Sequence, residues 1–276
     1  MKTRMKVMVA MAVIAGSACA QEAAAPAAPV AVKEESPDTG LAFDATLDLY
    51  SAYVWRGCVI NDEPVWQPGA TLSYATADYG ALSANVWANA NMTDRKLSDG
   101  ARHTHFGGLD ELDYTLSYDV DVGPVSLSAG HIWYTFPSFT DSAYAHGTRE
   151  VFATATYENK IVTPFLKAYY DYEAAEGFYG NAGLTKSVEI TDRFSVGAET
   201  SLGAADGDYM DCYFATDDAG LVDFNAALFC SYALTDNLSV GARIAWMSLI
   251  DSDARDNEVY MDEDLLWGGL NLAAAF

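Results

Sequence analysis

Asp48, Asp113, Asp119, Glu150, Asp171, Glu189 and Glu199 alternate with apolar or small neighbours, as do the bases Lys167 and Arg243. Repeated carboxylates of this kind serve acid–base catalysis, hold hard cations or line a water-filled passage. Hydrolysis by a serine nucleophile would also need a histidine to take its proton. The four histidines are His103, His105, His131 and His146. His103 and His105 flank Thr104 in a stretch with Arg95, Lys96, Asp99, Arg102 and Asp110, which is polar but unspecific. No G-x-S-x-G segment and no His-x-Ser-Asn arrangement accompanies them. The expectation is therefore a non-enzyme with no cofactor. Three acidic stretches, Asp62-Glu63, Asp206 to Asp218 and Asp251 to Asp264, offer oxygen ligands, but none has the spacing of an EF-hand loop, and no metal site is assigned. Cys58 and Cys212 fall in expected loops where an oxidising compartment permits a bridge, while Cys230 reads as a small hydrophobe on a strand.

The alternation itself shows what positions these groups. Phe194, Val196, Ala198 and Leu202 share one face of their segment, and Ser195, Gly197, Glu199 and Ser201 share the other. Leu238 to Trp246 repeats the scheme, with Arg243 on the small and polar face. Period-two segments of about ten residues between turns mark a membrane β-barrel with lipid outside and a polar lumen inside. Strands are expected near 42–56, 66–76, 81–91, 110–120, 124–135, 149–158, 162–172, 178–190, 193–203, 223–234, 238–249 and 265–276. Short turns such as Asp78-Tyr79-Gly80 and Asp121-Val122-Gly123 alternate with long connections such as 92–109 and 204–222. That rhythm predicts an all-β, antiparallel transmembrane barrel of about twelve strands, with its short turns in the periplasm. Past the first residues, no apolar run approaches the roughly twenty that a membrane helix needs. Tyr53, Trp55, Tyr74, Tyr157, Tyr172 and Tyr232 are expected to form interfacial girdles.

On these registers the inner face gathers the seven acids named above, with Arg56, Lys167 and Arg243 as basic counterparts. The residues expected to line the path of a solute are Asp48, Arg56, Gln67, Asp113, Glu150, Lys167, Asp171, Glu199 and Arg243. An acidic lumen favours cations over anions. A second reading has these acids and bases pair with one another and close the interior, because Tyr50, Trp87, Phe165, Tyr169, Tyr179 and Phe229 also point inward.

The chain begins with a basic head and an apolar stretch, Val7 to Ala15, and then a small-residue ending at Ala20, the pattern of an export signal over 1–20. Gly16 fits poorly with lipoprotein processing at Cys19. Residues 21–40, rich in Ala, Pro and acids, read as a flexible periplasmic lead-in, and 41–276 as the barrel. The net charge of −24 excludes nucleic acid as a partner, since phosphate binding needs a basic face. The expected partners are outer-membrane lipid and lipopolysaccharide, small solutes or ions, and the barrel-assembly machinery, which would read the terminal Phe276.

The first hairpin carries Ser51, Tyr53, Arg56 and Gly57, then Pro64 and Gln67. It resembles the opening of TorF-type porins of Gram-negative bacteria, which show Ser-x-Tyr-x-x-Arg-Gly, a short loop and Pro-x-x-Gln. The resemblance covers about one hairpin and implies an outer-membrane barrel. Independently of it, Gly57 would allow a turn and Pro64 would restrict the loop, so that Arg56 and Gln67 face the lumen near the outer mouth and fold the loop inward. The expected function is a porin-like channel for passive diffusion of small hydrophilic solutes or ions, cation-preferring. The alternatives are a plugged structural or adhesive barrel, or an outer-membrane enzyme.

Overall fold

The computed structural model describes residues 40–76, 79–96, 103–138, 147–257, 259–260 and 262–276. The expected export signal, the lead-in before Gly40, and Asp78, Asp99, Arg102, His146 and Glu258 lie outside the described residues, as do the side chains of Arg95, Lys96, His103 and Thr104.

In chain order the strands are β1 (Gly40–Tyr50), β2 (Tyr53–Trp55), β3 (Cys58–Asn61), β4 (Val65–Thr76), β5 (Gly80–Asn91), β6 (Arg95–Lys96), β7 (His103–Thr104), β8 (Leu109–Val122) and β9 (Val125–Thr135). They continue with β10 (Thr148–Tyr157), β11 (Thr163–Asp171), β12 (Gly177–Thr191), β13 (Phe194–Ala205), β14 (Gly220–Ala233), β15 (Leu238–Leu249) and β16 (Asp264–Ala275). Two short helices, α1 (Gly207–Phe214) and α2 (Ser252–Asp256), follow β13 and β15 respectively. Twelve strands close into one antiparallel barrel in the order β1, β16, β15, β14, β13, β12, β11, β10, β9, β8, β5, β4. The seam is β1 against β16, from Asp44 opposite Ala275 to Tyr50 opposite Gly269. Phe43 and Phe276 exchange backbone hydrogen bonds of 2.9 Å just beyond it. Closure matters because each unpaired amide or carbonyl in hydrocarbon costs several kcal/mol.

Strand periodicity sorts the residues. Leu72, Leu82, Leu116, Leu166, Leu228, Ile244 and Leu270 point outward and are exposed, an apolar wall that only a lipid coat would cover. Tyr74, Tyr118, Tyr157 and Tyr232 ring the short-turn end, and Trp66, Tyr172, Phe178 and Trp246 the long-loop end. His131 is outward too. It lies opposite Leu116 and Val151, packs on Trp133 with ring centroids 3.9 Å apart, and meets the Tyr172 hydroxyl at 2.6 Å.

The first expected strand, 42–56, is corrected. β1 ends at Tyr50, and Tyr53 and Trp55 are buried inside the barrel, not in the girdles. The cause is local: Arg56 and Gly57 both have left-handed backbones, with φ of 43° and 83°, and reverse the chain between β2 and β3. A Cβ on Gly57 would sit 3.0 Å from that of Asp223, so glycine suits both the turn and its close approach to the wall. The β2–β3 hairpin therefore folds into the lumen.

Candidate functional site

Two segments fill the long-loop half of the barrel. One is the β2–β3 hairpin. The Tyr53 hydroxyl donates to Glu111 at 2.8 Å, while the Tyr53 ring packs against Trp87. The other is α1. Asp206 caps it by accepting from the Tyr209 amide at 3.0 Å, and Ala215 ends it in the left-handed region. Its buried face is Tyr209, Met210, Tyr213 and Phe214. Trp55 packs against Tyr209 and Tyr213, so hairpin and helix hold each other. Tyr213 also donates to Asp171 at 2.7 Å.

Arg56 sits at the centre. Its guanidinium makes two hydrogen bonds with the Glu150 carboxylate, at 2.8 and 2.9 Å, and the two side chains are 2% and 0% exposed. Its carbon Cζ lies 4.4 Å from the Trp55 ring, 3.9 Å from Tyr169 and 4.8 Å from Tyr179. Glu150 also accepts from the Tyr134 hydroxyl at 2.7 Å. A planar, bidentate pair enclosed by aromatic faces is the strong form of an ion pair, and removing one partner would leave the other buried and uncompensated.

Around this pair the acids outnumber the bases. Asp48, Glu111, Asp113, Glu150, Asp171 and Asp223 are buried, and Arg56 is the single buried base among the described residues. Most of these acids have donors. Asp171 accepts from Thr148, Tyr213 and the amides of Glu173 and Ala174, Asp223 from Tyr179 and Asn225, and Asp48 from Asn271 and Tyr50. Asp113 differs: its carboxyl group meets the Glu111 carboxyl group and the backbone of Thr135, so two acids share one buried site.

The structure divides the nine expected lining residues into two groups. Asp48, Gln67, Asp113, Glu150 and Asp171 are buried within the packed half, where Gln67 donates to Asn89 at 3.0 Å. Lys167, Glu199 and Arg243 instead line a cavity of about 70 Å³ that also reaches Trp55, Arg56 and Trp267. Arg243 pairs with Glu199 at 3.2 Å across this chamber. Glu111, Asp223, Tyr209, Tyr213 and Trp267 belong to the arrangement and were not singled out from sequence. Glu111 shares the inner face of β8 with Asp113, so its alternation was the available signal. Cys58 and Cys212 are free thiols, which corrects the possible bridge between them.

No protein-family model and no curated protein sequence matches the chain. Among solved structures, the barrel is similar to an outer membrane channel from Pseudomonas putida F1, with a TM-score of 0.53 at 13% identity over 86% of this chain and 96% of that one. The NanC porin aligns with a TM-score of 0.49 at 10% identity, over 85% of this chain and 98% of that one. The KdgM porin aligns at 0.45 and 9%, over 85% and 99%. At such identity the first of these shows a shared fold: the chain is a closed twelve-strand barrel of the outer-membrane type.

Proposed function

We propose that the protein is a porin-like channel of the outer membrane for passive diffusion of small hydrophilic solutes or ions, held closed by the β2–β3 hairpin. The observation that carries this reading is the Arg56–Glu150 pair, which pins the hairpin tip to β10 across a polar lumen. A polar pin can be exchanged for water or solute when the hairpin lifts. No chemical step is involved. Solute enters, is held weakly and leaves. Inward carboxylates exceed inward bases, which favours cation preference once the path is open. The apolar outer wall suits outer-membrane lipid and lipopolysaccharide, and the exposed terminal Phe276, stacked on Phe43, is offered to the assembly machinery.

The second reading is a permanently plugged structural or adhesive barrel, and the dense packing of Trp55, Tyr209, Tyr213 and Phe214 favours it. Planar-bilayer conductance in a potassium chloride gradient separates the two. A channel gives rare, cation-selective steps that become frequent when the hairpin 52–63 is shortened to a Gly-Ser link. An inserted barrel that stays silent after that deletion is a structural protein.

A further inference from the structure

Arg56 belongs to the hairpin, but most of what holds its guanidinium belongs to the wall. The Glu150 carboxylate on β10 accepts from both terminal nitrogens, at 2.8 and 2.9 Å, and the Tyr134 hydroxyl on β9 donates to the same carboxylate at 2.7 Å. Tyr169 on β11 and Tyr179 on β12 present their rings 3.9 and 4.8 Å from Cζ. Strands β9 to β12 are consecutive around the barrel, so four neighbouring strands build one half-cup. The cup is braced without the hairpin. Tyr169 packs against Phe152 and Tyr179, and the Tyr179 hydroxyl donates to Asp223 at 2.9 Å. Trp55, 4.4 Å from Cζ, leaves with the hairpin, while Tyr209 is supplied by α1. Asp171 stands directly opposite Glu150 in the β10–β11 ladder, so two wall acids face the place where Arg56 brings one positive charge. A carboxylate that accepts two parallel N–H bonds between aromatic faces suits a planar guanidinium better than a compact ammonium.

We propose that the solute class of the channel is a small molecule bearing a guanidinium group, and that Arg56 is the protein's own stand-in for it. In the closed barrel Arg56 fills the cup. Once the hairpin lifts, Glu150, Tyr134, Tyr169 and Tyr179 stay on the wall, and an incoming guanidinium takes the two carboxylate oxygens and the two rings. Solute and Arg56 compete for one place, so solute binds the open form and draws the equilibrium toward it. A neutral solute brings no charge to Glu150, and an anion is repelled by Glu150 and Asp171. The inference deepens the channel reading and rests on it, because solute reaches the cup only when the hairpin lifts.

The experiment treats folded, detergent-solubilised protein with methylguanidinium at constant ionic strength, with methylammonium as the compact cation and methylurea as the uncharged near-isostere. In the wild type, millimolar methylguanidinium should speed exchange of the β2 and β3 amides in proportion to its concentration and leave β14 and β15 unchanged, while methylurea should do neither. By calorimetry Arg56→Ala, which lacks the internal competitor, should bind methylguanidinium at least about tenfold tighter than the wild type. Adding Glu150→Gln to Arg56→Ala should abolish that gain, and adding Tyr169→Leu instead should weaken binding several-fold. The proposal is overturned if wild-type exchange in β2 and β3 does not respond, if methylammonium or methylurea binds Arg56→Ala as tightly, or if the added Glu150→Gln leaves binding intact. Should Arg56→Ala fail to fold, the wild-type exchange with its two control solutes decides. Saturable binding by a barrel that never conducts would overturn the channel reading and uphold the cup; conductance without binding would do the reverse.

Discussion

Replacing Arg56 by alanine removes both hydrogen bonds to Glu150 and three aromatic contacts, and leaves Glu150 inside the protein with only the Tyr134 hydroxyl. Both side chains are almost fully enclosed, at 2% and 0% exposure, so solvent does little to screen the loss. Breaking a buried pair by deleting one partner costs about 3–5 kcal/mol. The strands of the wall keep their ladders, so this cost falls on docking of the hairpin. At about 1.4 kcal/mol per factor of ten, the population with the hairpin undocked rises roughly 100- to 4,000-fold. Hydrogen exchange reads that change at the amides of β2 and β3, which should lose protection by the same factor while β14 and β15 keep theirs. Single-channel recording should show the matching increase in open events. Replacing the pair by Arg56→Met with Glu150→Leu should restore protection to near the wild-type level, because an apolar pair of similar volume needs no compensation. The reasoning fails if exchange in β2 and β3 is unchanged in Arg56→Ala, or if the apolar pair is as open as the single variant.

Asp113 and Glu111 are two acids in one buried site, so Asp113→Asn, which removes one of the two charges and can donate to Glu111, should stabilise the folded barrel at neutral pH by about 1–3 kcal/mol. A lower urea midpoint would show that the charge is compensated. A Cβ at Gly203 would run into the Tyr179 hydroxyl and the Asp223 carboxylate, which hydrogen-bond at 2.9 Å, so Gly203→Ala should cost about 1–3 kcal/mol by the same assay, and an unchanged midpoint would contradict that packing. Burial, with Asp171 and Asp211 adding negative potential, pushes the Cys212 thiol up to about 12. The reactive thiolate is then only about 10⁻⁴ of the population at pH 8, so maleimide labelling of the folded protein should be roughly a thousandfold slower than for an ordinary thiol and rise tenfold per pH unit. In urea without reductant, Cys58, Cys212 and Cys230 should all label; finding only one reactive would reveal a bridge.

The barrel was legible because a wall between lipid and a polar lumen imposes a period of two on every strand. The expected 238–249 coincides with β15, and most other boundaries fall within a few residues. The inward set followed from the same alternation. Tyr53 and Trp55 were misplaced because aromatics near a strand end look alike whether they face lipid or fold inward; only the left-handed Arg56–Gly57 turn separates the cases. Helix α1 was hidden by its acids. Asp206 and Asp208 drew attention to charge, while Tyr209, Met210, Tyr213 and Phe214 already showed the one-sided spacing of a helix. The partnership of Arg56 with Glu150 joins residues far apart in the chain and depends on barrel curvature, which no local pattern encodes.

The interior filling meets the wall at many places: besides the root of the hairpin between β1 and β4, Glu150 on β10 and the root of α1 between β13 and β14, Tyr53 reaches Glu111 on β8 and Tyr213 reaches Asp171 on β11. The first three of these lie roughly a third of the circumference apart around the ring of strands. A thin cylinder yields most easily by flattening into an ellipse, and an internal brace with contacts spread around the ring opposes flattening in every direction. Lateral pressure from the bilayer is thus carried by struts as well as by the strand ladders. A hairpin that lifts, as proposed, takes its contacts with β8 and β10 out of the brace, so the open cylinder is softer than the closed one.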